Sequence, residues 1–208
     1  GGEGVYLYDS SGKQYLDGSG GAAVSCLGHG NKRVIQAIKD QLDSLAFAHT
    51  TFFTSSAQEE LAAGLVEKFG EEDARVYFLS GGSESNEAAI KLARQYWVAK
   101  GEDDKRIFVS RKQSYHGNTL GALSLSGNPS RREVFEPMLQ DWPKIAPCYA
   151  YRLKQIDETA QEYGLRSAAE RESMIERLGA EYVAAFVAET VTGATMGAVA
   201  AVDEYFRE

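Results

Sequence analysis

Residues 77–97 read YFLSGGSESNEAAIKLARQYW. The apolar run VYFL, residues 76–79, predicts a strand buried on both faces, and the stretch 84–100 predicts a helix. On that helix Ala89, Leu92, Ala93, Tyr96 and Trp97 are expected to form one apolar face. Between the two lies Ser80-Gly81-Gly82-Ser83. A turn of this kind sets the free N–H groups and positive dipole end of the helix beside a backbone stripped of side chains, which suits an anion such as a phosphate. Ser83 adds a hydroxyl. The same residues serve equally well as a plain helix cap, with Glu84 and Glu87 answering the dipole and Glu87 pairing with Lys91 one turn on. The neighbouring strand ends bear on the choice.

Two more short apolar runs, IFV (107–109) and YVAAFVA (182–188), are separated by helical patterns at 84–100 and, more loosely, about 154–178. Strands apolar on both faces with helices between them predict a mainly parallel sheet in an α/β layer. Ligands in such sheets collect beyond the carboxyl ends of the strands. After IFV comes SYHG (114–117), and after YVAAFVA comes Glu189-Thr190. Tyr115 can stack on a planar heterocycle, and His116 can add a flat surface or a hydrogen bond. A buried Tyr-His pair tying down a loop is the structural alternative. Glu189, at the end of an apolar strand, needs a partner or a polar cavity, and a salt bridge would satisfy it as well as a ligand. Together an anion cradle, a stacking ring and a carboxylate describe a pocket for a phosphorylated aromatic cofactor. A nucleotide fits these features too, although no P-loop and no Gly-x-Gly-x-x-Gly fingerprint follows a strand.

Upstream, VYLYDSSGKQYLD predicts a β-hairpin turning at Asp9-Ser10-Ser11-Gly12. GSGGAAVSCLGHG (18–30) is too rich in small residues for a packed helix or strand and predicts a loop. Helices are expected from Asn31, as cap, to Leu45, and from Ser56 to Phe69, stopped by Gly70. The stretch 128–153 holds all four prolines and predicts irregular connection.

Hydrophobic residues make up 43% and charged residues 25%, which implies a folded core rather than disorder. A net charge of -8 argues against nucleic acid or an anionic membrane as partner, and no apolar run is long enough to span a bilayer. Cys26 and Cys148 stand far apart, and His29, His49 and His116 are scattered, so no metal site is expected. Unpaired thiols and the lack of a basic, hydrophobic leader suggest a cytoplasmic protein. The start without Met, and an end at VDEYFRE that looks helical and uncapped, suggest a piece of a longer chain.

FLSGGSESNEAAIKLAR (78–94), followed by SYHGNTLGALSLSG (114–127), resembles the signature region of class III pyridoxal-phosphate aminotransferases, of fold type I. The hairpin YLYDSSGKQYLDGSGG, the helix start LGHGNKRVIQAI and the stretch AAFVAETVTGATMGAV resemble that family in the same order. The resemblance implies an N-terminal hairpin, loop and helix segment over 1–55 and an incomplete, cofactor-binding large domain over 56–208. It makes Gly82 and Ser83, with Gly81 beside them, the phosphate cradle of pyridoxal 5'-phosphate. Tyr115 would stack on the ring with His116 next to it, and Glu189 would lie near the ring's outer edge. The family often reads Glu-Pro there, whereas this chain reads Glu-Thr.

The resemblance also implies that the aspartate pairing with the ring nitrogen and the Schiff-base lysine lie beyond residue 208. No catalytic residue is then expected in this chain, which alone should be inactive. The parent protein is expected to move an amino group from an amine or amino acid to a keto acid or aldehyde. It should work as a homodimer, with the loops 18–30 and 46–56 near the shared site. Racemase, mutase and decarboxylase activities share the same motifs. Two further readings are a serine hydrolase using Ser83 with His116 as base, and a non-catalytic module keeping the cofactor fold. Against the hydrolase, Gly-Gly-Ser-Glu-Ser lacks the closing glycine of a nucleophile elbow.

Overall fold

The computed structural model describes residues 1–207, which separate into two compact units, Gly1–Val76 and the chain from Tyr77 onward.

In the first unit, β1 (Gly2–Glu3), β2 (Tyr6–Tyr8) and β3 (Gln14–Leu16) form an antiparallel sheet in that order. The expected hairpin turn is there. Asp9 Oδ1 accepts from the Ser11 and Lys13 amides at 2.9 and 3.0 Å, and Gly12 takes the left-handed conformation with φ 82°. Hydrogen bonds from Ser11 and Tyr15 to the ionised form hold the Asp9 carboxyl down to about 2. The small-residue stretch is mostly turns. It contains one short helical turn, α1 (Gly20–Ala23), in which Gly20, Gly21, Ala22 and Ala23 all have φ between 55° and 65°.

The helices α2 (Lys32–Ser44) and α3 (Ser56–Phe69) follow with the predicted ends. The Asn31 side chain accepts from the Arg33 and Val34 amides, and Gly70 closes α3 at φ 82°. The apolar face of α2 is uncovered, with Ile38 and Leu42 more than half exposed.

The second unit carries the sheet. Its elements are α4 (Gly82–Ala99), β4 (Ile107–Arg111), α5 (Leu120–Leu125), α6 (Pro129–Arg132), β5 (Lys144–Ile145), α7 (Ala150–Leu153), α8 (Ala160–Leu178) and β6 (Val183–Phe186), then the antiparallel pair β7 (Val191–Thr192) and β8 (Val199–Ala200). The strands β5, β4 and β6 lie in that order, with β4 parallel to both neighbours. Side chains alternate across β4. Phe108 packs with Leu125 and Ala184 against Ile90, Ala93 and Trp97 of α4. Val109 packs with Ile145 and Val183 against Met174, Ile175 and Leu178 of α8. The expected α/β architecture, a parallel sheet with helices on both faces, is therefore present.

Five expectations need correction. VYFL is not a strand: residues 76–79 pair with no other strand among the described residues, and Tyr77 is 75% exposed. Apolar composition supplies the propensity, but a ladder also needs a neighbouring backbone to bond. The core face of α4 is Ile90-Ala93-Trp97, while Ala89, Leu92 and Tyr96 point to solvent. The helix carries apolar residues on more than one side, and Trp97 is fixed by donating its indole N–H to the Ala184 carbonyl at 2.7 Å. The proline-rich stretch includes β5, whose two residues are too few to show a period. Finally, α8 starts at Ala160 with a capping box between Thr159 and Glu162, and residues Asp203–Phe206 form a 3-10 turn that buries Tyr205.

Candidate functional site

The first helical bond of α4 runs from Ser85 N–H to Gly81 O at 3.0 Å. The amides of Gly82, Ser83 and Glu84 precede it and find no protein acceptor among the described residues. The two glycines differ. A Cβ at Gly81 would meet the Glu84 carboxylate at 2.7 Å, whereas one at Gly82 would meet nothing within 4 Å. The open side of this N-terminus is therefore at Gly82-Ser83, where the helix dipole also favours negative charge.

Facing it is the loop that follows β4. Gly82, Ser83, Asn86, Tyr115, His116 and Gly117 line one cleft of about 330 Å³. Four of the six candidate residues thus converge. Gly81 only precedes the cleft. Glu189 does not line it, but its Oε2 accepts from the Tyr115 amide at 3.4 Å. Larger grooves lie along α8 and between α4 and β4, but their charged residues bring together no helix terminus and, among the described residues, no unpartnered buried polar group.

The first two turns of α4 fix the loop through contacts that local pattern does not reveal. Ser83 Oγ accepts from the Asn118 amide at 2.9 Å, which leaves its own hydrogen available. Asn86 Nδ2 donates to the His116 carbonyl at 2.6 Å. Glu87 Oε1 accepts from the Gly121 and Ala122 amides at 2.8 and 3.2 Å and so caps α5. The expected Glu87–Lys91 ion pair does not form among the described residues. These amides are better partners for the carboxylate because they lie at a helix N-terminus. Gly117 sits at φ 133°, and a Cβ there would come within 2.9 Å of Ser83 Cα and Ala122 Cβ.

His116 is buried, and its Nε2 has no hydrogen-bond partner among the described residues. Burial, reinforced by the charges of Arg111 and Lys144, pushes its imidazole down to about 4, so the ring is neutral at pH 7. The backbone of Glu189 is held by Arg111, which is buried at the end of β4 and donates to the Glu189 carbonyl and, at 3.4 Å, to Thr192 Oγ1. Ser83 and His116 make no hydrogen bond to each other among the described residues. The nucleophile and base that a serine hydrolase needs are thus not paired.

An open helix N-terminus, a free hydroxyl, a partly exposed aromatic ring and a neutral histidine around one cleft fit a phosphorylated aromatic molecule. The family profile described as "Aminotransferase class-III" matches residues 1–208. The chain belongs to the class III aminotransferase family.

Among curated relatives of this family, an uncharacterised aminotransferase of Schizosaccharomyces pombe is 45% identical over 99% of the chain, and the uncharacterised aminotransferase YodT of Bacillus subtilis is 42% identical over 98%. The crystal structure of the omega transaminase from Pseudomonas jessenii in complex with PMP superposes with a TM-score of 0.93 at 32% identity, over 99% of this chain. The chain covers 45% and 46% of the two relatives and 46% of that structure, a little under half in each case. The fold is that of the fold type I transaminases.

Sequence reasoning found the two walls of the cleft because each follows a recognisable turn. It missed Asn86, Asn118, Gly117 and Arg111 because their partners lie far away in sequence. The one available signal was Gly117 beside an imidazole in SYHG.

Proposed function

We propose that the whole protein is a pyridoxal 5'-phosphate-dependent aminotransferase, moving an amino group from an amine or amino acid to a keto acid or aldehyde. Residues 56–208 would belong to its cofactor-binding large domain. The observation that carries this reading is the open N-terminus of α4 at Gly82-Ser83, facing Tyr115 across the cleft. When bound, the cofactor supplies the electron sink for the α-proton shift, with its lysine expected outside these residues.

The chain's own residues bind and orient. The free amides of Gly82, Ser83 and Glu84 would donate to the phosphate, and Ser83 would donate its hydroxyl hydrogen while the Asn118 amide holds its oxygen. Tyr115 would stack on the ring. His116 stays neutral beside it, its Nε2 buried without a partner among the described residues. Glu189, fixed through its carbonyl by Arg111, would set the outer edge of the ring site. Resemblance to the family supports a homodimer, and two free cysteines fit a reducing, cytoplasmic setting.

The test is direct. The purified whole protein, loaded with cofactor, is expected to show a visible absorption band that shifts on adding an amino donor. Ser83→Asp, which puts a negative charge where the phosphate should sit, is expected to release the cofactor while far-UV circular dichroism stays unchanged. Full cofactor retention by this variant would overturn the phosphate assignment, and an absent donor shift would overturn the activity.

A further inference from the structure

Tyr115 lines the cleft, and a cation from outside the cleft lining meets its ring. The guanidinium of Arg131 sits over the ring at 4.6 Å from its centroid, and Arg131 is not among the cleft residues. Among the described residues no carboxylate lies within ion-pair distance of Arg131, and its side chain makes no hydrogen bond. The Tyr115 hydroxyl likewise has no partner there. The amide of Tyr115 is tied to Glu189, but the orientation of its ring is set by no other polar contact.

The neighbour that delivers Arg131 is anchored. Arg132 is buried, and its Nη1 donates to the carbonyls of Leu123, Ser124 and Ser126 at 2.8 to 2.9 Å. Pro129 opens the short helix in which both arginines lie. Arg131 thus projects from a fixed backbone onto a ring that is otherwise free to turn.

We propose that Arg131 is a positioning residue, backing Tyr115 and holding the ring as the platform on which the cofactor heterocycle stacks. The proposal rests on the cofactor reading above. A planar guanidinium suits this role because it can lie flat on an aromatic face while its charge meets the ring quadrupole.

The test uses the whole protein and measures the dissociation constant for pyridoxal 5'-phosphate together with the circular dichroism of the bound cofactor band. Arg131→Ala is expected to raise the dissociation constant about two- to fivefold, the worth of an exposed cation–π contact, and to weaken the band. Arg131→Lys, which keeps the cation, is expected to retain most of both. In a Tyr115→Leu background, Arg131→Ala should add nothing, because its effect passes through the ring. An unchanged dissociation constant and band in Arg131→Ala, or an equal effect with and without Tyr115, would overturn the proposal. If Tyr115→Leu alone leaves cofactor binding unchanged, the stacking role of Tyr115 fails, and the role of Arg131 fails with it.

Discussion

Asn86 donates its side-chain amide to the main-chain carbonyl of His116 at 2.6 Å, joining the second turn of α4 to the loop after β4 across 30 residues of sequence. The same Nδ2 reaches the Gly82 carbonyl at 3.2 Å, so one side chain touches both walls of the cleft. Asn86→Ala would leave the His116 carbonyl unpaired in a half-buried setting, which costs about 1–3 kcal/mol. Chemical denaturation of the whole protein is expected to show that loss. Cofactor retention should fall with it, whereas Asn86→Ser, which keeps a short donor, should lose less of both.

Gly117 lies close against the start of α4. Its φ of 133° is strained for any residue with a Cβ, and that Cβ would press on Ser83 Cα and Ala122 Cβ, neither of which is a flexible side-chain end. Gly117→Ala is expected to destabilise by about 1–3 kcal/mol and to separate Tyr115 from Gly82-Ser83. Slower cofactor uptake, followed by absorbance, is the accompanying sign. Gly82→Ala meets open space and should cost much less stability while still obstructing the anion site.

The pattern along the chain disclosed what depends on local physics. Asn31, Gly12 and Gly70 act on their immediate neighbours, so the hairpin and the first two long helices could be read directly. Gly82-Ser83 was legible as a glycine-serine turn opening a helix, and Tyr115-His116 as the loop beyond the carboxyl end of β4. The residues that set their spacing were not. Glu87 looked like a surface charge and instead caps α5 from 34 residues away, and Asn118 meets Ser83 from 35. VYFL shows the converse limit: its propensity is intrinsic, but pairing is a property of two chain segments.

Arg132 holds the C-terminal end of α5 through three carbonyls and clamps Glu136 with Nε at 2.9 Å and Nη2 at 3.2 Å. Cations at a helix C-terminus answer its dipole, and Lys144 also donates to the Ser124 carbonyl, at 3.0 Å. Arg132→Met keeps the stem but leaves the Leu123 and Ser126 carbonyls without this donor. It is expected to destabilise the whole protein by about 3 kcal/mol, from charge-assisted bonds lost in a buried setting. Thermal unfolding would show it. Arg132→Lys, a point charge without the fork, should recover only part of the loss.

His116 gives the protein a pH dependence whose sign follows from its burial. Its folded pKa, about 4, lies below the ordinary 6.5, so between these values the unfolded chain binds a proton that the folded chain refuses. Stability contributed by the neutral ring is therefore full above pH 6.5 and is lost as pH falls toward 4, by up to about 3 kcal/mol. Other carboxylates titrate in the same window, so the comparison must be with a variant. His116→Phe keeps a flat ring without the titration. Urea denaturation of cofactor-free whole protein from pH 7 to pH 4 is expected to fall less steeply for His116→Phe than for the native protein. Parallel curves would mean that the imidazole protonates freely in the folded state, and that the desolvation holding it neutral in the cleft is absent.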